Sequence, residues 1–224
     1  MQSAYRHLGY ILLVLPLMLI AGFWIPYFSQ IPHFDPSMTT AVHVHALLLF
    51  AWVGVLVIQP LAIRHRAFSL HRILGKVSYV LLPMILIFAF AMLRKEYQEH
   101  LADGMNVAAA RSAEYLSSVQ LALLAAFYVL AVVRIHRRDV AEHMRYMICI
   151  ALVLLPAGLA RTLGYWFDVT QVSSQTVCLA VIDLSLISLI LFDRRRHFAS
   201  RPYILALAAY FMVEAGWIVL GRPV

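Results

Sequence analysis

Long apolar runs alternate with short polar connections along the whole chain, and the repeat length is that of a bilayer crossing. Runs rich in Leu, Ile and Val occupy residues 8–28, 41–62, 73–93, 113–134, 143–163, 177–193 and 202–220. At 1.5 Å of rise per residue, roughly 17–22 residues span a hydrocarbon core of about 30 Å. The pattern predicts one all-α, membrane-embedded domain over 1–224, a bundle of about seven transmembrane helices. The longest connection, "RKEYQEHLADGMNVAAARSAE" at 94–114, reads as a surface helix leading into the fourth span. Pro16, Pro83 and Pro156 fall inside spans, where each frees a backbone carbonyl and bends its helix. The first run, "YILLVLPLMLIAGFWIPYF", is too long for a signal-peptide core and ends in aromatics, so it is read as a helix.

Composition agrees with this pattern. Of 224 residues, 63% are hydrophobic and only 13% charged, well outside the range of soluble domains. The net charge of +7 would suit a nucleic-acid partner, but the placement of the charges excludes that reading. Of the 18 Lys and Arg, five (Arg94, Lys95, Arg111, Arg161 and Arg222) fall towards one face, and the remainder lie towards the other. A basic excess marks the cytoplasmic side, which predicts an inside N-terminus and an outside C-terminus. The expected partner is the lipid bilayer, in a bacterial inner membrane. Three basic turns, "IRHRAFSLHR", "RIHRRDVAEHMR" and "RRRHFASR", resemble one another. Either a helical hairpin repeats after a first added helix, or positive-inside selection alone makes such turns alike. Cys149 and Cys178 are isolated and no C-x-x-C occurs, which argues against thiol–disulfide chemistry.

Helical phase then sorts the polar residues inside spans. His43 and His45 point about 200° apart and cannot share a face. His45 continues into Trp52 and Gln59 at seven-residue steps, whereas His43 continues into Leu47, Phe50, Gly54 and Ile58. His45 is therefore the inward histidine. Tyr203, Tyr210 and Trp217 form a second seven-step stripe, with Glu214 beside it. Asp183 is the one charge inside the sixth span, and Arg161, five full turns from His143, projects from the same face at the opposite membrane surface. His45, Arg161, Asp183 and Glu214 all fall within about two turns of the outer ends of their spans. Ionisable groups there are costly and face the bundle interior with partners. An outward-facing polar pocket of His45, Gln59, Arg161, Asp183 and Glu214 is the expectation, against a plain structural bridge from Arg161 to one acid.

The opposite level holds His71, His136 and His143, with Arg72 and Arg145 adjacent. Histidines from separate helices at one depth are what a b-type haem needs, with arginines for its propionates, and they also suit a transition metal. The competing reading is ordinary basic residues at the membrane edge.

The stretches "HALLLFAWVGVLVIQP", "LHRILGK" and "EHMRYMICIALVLLPAGLAR" resemble a widespread uncharacterised bacterial family of multi-pass membrane proteins, a domain of unknown function. The shared pattern falls on His45, Gln59, His71, Arg72, Gly75, His143, Met147 and Arg161, within residues 41–163. The resemblance implies a topology and a residue set, without an activity. Asp183 and Glu214 lie beyond it.

G-x-S-x-G, H-E-x-x-H, Walker and di-iron histidine motifs are absent, and neither Lys76 nor Lys95 suits a retinal Schiff base in the last span. The residues leave three functions open. One is a redox protein holding haem b or a metal, with a quinone or other small molecule as partner. Another is a proton-coupled transporter using the outer pocket. The third is a structural subunit of a homo-oligomer or larger membrane complex.

Overall fold

A computed structural model describes residues 5–35 and 38–220 of the chain. Its elements are α1 (Leu8–Ile11), α2 (Val14–Phe23), α3 (Thr40–Arg64), α4 (Phe68–Ala102), α5 (Val107–His136), α6 (Val140–Val153), α7 (Leu155–Phe167), α8 (Gln171–Arg195) and α9 (Arg201–Val219). The fold is all-α, without strands among the described residues. Six helical stretches are long and apolar enough to cross a membrane, and α1 with α2 form a shorter apolar seventh. Large apolar side chains point outwards, among them Leu47 at 71% exposure and Met212 at 77%, as a lipid-facing surface requires. The protein is a multi-pass, membrane-type helical bundle.

Two boundaries differ from the expected ones. Residues 94–102 do not form a separate surface helix. They extend α4 without interruption, because "RKEYQEHL" is rich in good helix formers even though it is polar. A turn follows, and α5 starts at Asn106, whose side chain caps the Ala109 amide at 2.9 Å. The fifth span is not one straight helix. It breaks at Leu154, just before Pro156, which has no amide hydrogen to offer the preceding turn. Below the break α6 packs on α5 and α9, and above it α7 packs on α2 and α8. Glycines permit the α2–α7 contact: a Cβ at Gly158 would sit 2.8 Å from the Met18 carbonyl, so the two backbones meet directly.

The three basic turns share one geometry. Each has a non-glycine residue in the left-handed region, Arg66 (φ 59°), Arg138 (φ 61°) and His197 (φ 57°). After each, the next amide reaches back over the turn: Ala67 to the Ala62 carbonyl, Asp139 to Arg134 and Phe198 to Asp193. These are Schellman closures at the ends of α3, α5 and α8. The hairpins α3–α4, α5–α6 and α8–α9 are therefore closed alike, with α1–α2 preceding them. His71 follows Arg66 by five residues and His143 follows Arg138 by five, so the two histidines hold equivalent positions in their hairpins.

Candidate functional site

Two columns of polar side chains run through the bundle, one on α8 and α9 and the other on the buried face of α3.

The α8–α9 column starts from Asp183 and Glu214, whose carboxyl groups meet within hydrogen-bonding reach. Two carboxylates have no hydrogen to share, so this contact requires a proton between them. Asp183 keeps a second, buried oxygen without a partner. It lies 12 residues into α8, which is ~18 Å from the start of that helix and deeper than the sequence suggests. The extra depth arises because α8 begins at Gln171, before the apolar run does. Towards the far end, away from the basic turns, Gln175 and Trp217 line a small polar recess together with Ser117 and Gln171. Towards the basic end, Tyr210 lies one turn from Glu214 and within range of the Asp183 charge. Its hydroxyl is buried and unpartnered. Cys149 sits near both Tyr210 and Tyr203. Tyr203 then donates to Tyr5 (3.3 Å), and Tyr5 donates to Asp193 Oδ1 (2.6 Å). Arg145 closes the column on Asp193 with Nε to Oδ2 at 2.6 Å and Nη2 to Oδ1 at 3.1 Å. Burial and the Asp193 contact push the Tyr5 phenol up to about 12, which keeps it a donor.

This arrangement corrects the expected role of Arg145. It is 1% exposed and engaged bidentately by Asp193, so it cannot serve the propionates of a cofactor. Asp193 and Tyr5 were not legible as functional residues. Asp193 stands beside three arginines in sequence, where an acid reads as local charge balance.

The α3 column is differently satisfied. His45 Nδ1, Trp52 Nε1 and Gln59 Oε1, one every two turns, are all buried without a hydrogen-bond partner, and so is His71 Nδ1 on α4. Trp52 is fully buried, its ring edge-on to Tyr128 (5.7 Å), and the Tyr128 hydroxyl meets Ser78 Oγ at 2.9 Å. Gln59 Nε2 donates to the His71 carbonyl at 3.1 Å. His43, by contrast, meets the Tyr27 hydroxyl (2.9 Å) and packs on Phe34, while Leu47 on its stripe faces outwards.

Arg161 stands at the far end of this column. It is exposed. Its guanidinium covers the Phe23 ring at 4.7 Å and donates to the Ala157 carbonyl at 3.1 Å. The titratable groups within its electrostatic range are His45, Glu96 and Tyr165. The five expected outer-pocket residues therefore separate: Arg161 stands with His45, Asp183 stands with Glu214, and Gln59 reaches towards His71. Arg161 lies beyond the turn at Leu154, on α7, which packs on α2 and α8.

At the basic end His71 and His143 lie within electrostatic range of one another. His143 Nδ1 is fixed on the Ala131 carbonyl at 2.9 Å, leaving Nε2 for another partner. Arg72 is exposed beside them. His136 is also exposed, and its Nδ1 turns back to Val132 on its own helix (2.8 Å), away from this pair.

In comparisons with known proteins, no family model, curated protein or solved structure matches this chain.

Proposed function

We propose that the protein is a proton-coupled carrier of the bacterial inner membrane, N-terminus inside, moving a small anionic or polar molecule. The observation that carries this reading is the Asp183–Glu214 contact, a proton-holding pair in the middle of a membrane bundle. The recess at Gln175 and Trp217 lies on the same two helices, towards the far end. On α3 and α7, Arg161 supplies fixed positive charge and His45, within its electrostatic range, an unsatisfied ring nitrogen, the complement of a small carboxylate or similar anion. Vesicles reconstituted with the protein and loaded with a pH-sensitive dye test this. Under an imposed potential and a mixture of small carboxylic acids, proton uptake should fall at least tenfold in Asp183→Asn and Glu214→Gln. Unchanged uptake in both variants defeats the reading.

A second reading has its own support: haem b or a transition metal held by His71 and His143. The two histidines occupy equivalent positions in their hairpins, and the carbonyl bond to His143 Nδ1 is the kind of contact that orients a ligating imidazole. A visible spectrum and metal analysis of the purified protein decide it. A haem Soret band or a bound metal lost in His71→Ala and His143→Ala would favour this reading over the first.

A further inference from the structure

We propose that Glu96, His100 and Glu114 form a binding site for a divalent, zinc-like cation at the far end of the bundle. The site uses none of the residues that carry either proposed function, although Glu96 lies within electrostatic range of Arg161. Glu96 and His100 are four residues apart on α4, so they project from one face one turn apart, the spacing with which helices commonly present paired metal ligands. Glu114 approaches from α5, across the short turn between the two helices.

One ligand atom from each of the three lies within 4.8 Å of the other two. His100 Nε2 and Glu114 Oε1 are already 3.2 Å apart. A tetrahedral zinc with bonds of about 2.0 Å sets its ligands about 3.3 Å apart, so these two need almost no movement. Glu96 is exposed and free to close the remaining distance. One imidazole with two carboxylates is a ligand set that zinc accepts, with water in the fourth position.

Burial gives the second argument. Glu114 is only 7% exposed, yet its carboxylate oxygen points at the spot where His100 and Glu96 converge. The nearby Arg161 guanidinium acts on Glu96 only at electrostatic range, its direct contacts being Phe23 and the Ala157 carbonyl, and one imidazole does not balance two carboxylates, whereas a dication among the three would. The neighbouring acid, Glu99, is turned away into a 3.3 Å pair with Lys95 and does not compete for the site. The far-end extension of α4, which gives the helix its 35 residues, is what carries Glu96 and His100 to Glu114.

The test is zinc titration by calorimetry on the full chain in detergent, purified with a histidine-free tag. One saturable site per chain is expected, weakened at least tenfold in His100→Ala and Glu114→Gln. Glu96→Gln, at an exposed position where folding is not at stake, should weaken it severalfold. Glu99→Gln should leave it unchanged. X-ray absorption of the loaded protein should show one nitrogen and oxygen ligands near 2.0–2.1 Å. Absence of saturable binding overturns the proposal. So does zinc binding that survives all three site substitutions, which would place the ion elsewhere, for instance at His71 and His143.

Discussion

The α3 column and the basic end of the α8–α9 column meet the same difficulty, buried hydrogen-bonding groups in an apolar bundle, and meet it in opposite ways. At the basic end of the α8–α9 column each group has its partner: Tyr203 on Tyr5, Tyr5 on Asp193, and Asp193 on Arg145. The α3 column leaves one atom on each of His45, Trp52 and Gln59 without any. A buried polar atom without a partner costs on the order of 1–3 kcal/mol. The closed network fastens the fold, and hydrogen-bonding capacity is left over on α3 and, beyond the network, at Asp183 and Tyr210.

Substitutions can break or sharpen this contrast. Arg145→Ala strands the Asp193 charge in the core and should cost about 3–5 kcal/mol, read as a large drop in thermal unfolding temperature in detergent. An unchanged melt would mean that the closed column fastens nothing. Gly158→Val forces apart the α2 and α7 backbones and should cost roughly 1–3 kcal/mol, with no effect at the Arg145 network. Tyr203→Phe removes one hydrogen bond from a satisfied chain, about 1 kcal/mol in the same assay. His45→Phe deletes an unpartnered polar atom and should leave stability unchanged or raise it, while lowering uptake. A cost as large as that at Tyr203 would show the two columns to be equivalent. Least visible is the Tyr5 phenol. Its ionisation is raised from 10 to about 12 in the folded protein, so its contribution is complete below pH 10 and is lost as pH rises through 12. Ultraviolet titration compared with that of Tyr5→Phe should assign one late-ionising phenol, near pH 12, to Tyr5.

The bundle itself was legible because hydropathy reports lipid contact directly, and seven apolar stretches need seven helices. Phase also separated His45 from His43, since a single helix turns by a fixed angle per residue. What hydropathy cannot see is helix that continues into water: α4 runs on through Arg94, Lys95 and Glu96 because propensity, not burial, sustains it there. The separation of Arg161 from Asp183 and Glu214 was hidden for another reason. Helical phase carries across a span only while the helix is straight, and the fifth span breaks at Leu154. Asp193 was invisible because its partner, Arg145, is 48 residues away and its sequence neighbours are arginines.

That break gives the fifth span the mechanics of a lever. Arg161 lies seven residues beyond Leu154, an arm of ~10 Å, so a tilt of about 10° at the joint swings it by roughly 2 Å. Any such tilt would have to move α2 as well, because Gly158 seats directly on Met18, while the Arg145–Asp193 pair holds α6 to α8. A displacement of that size is comparable to the difference between a guanidinium that grips an anion and one that has released it.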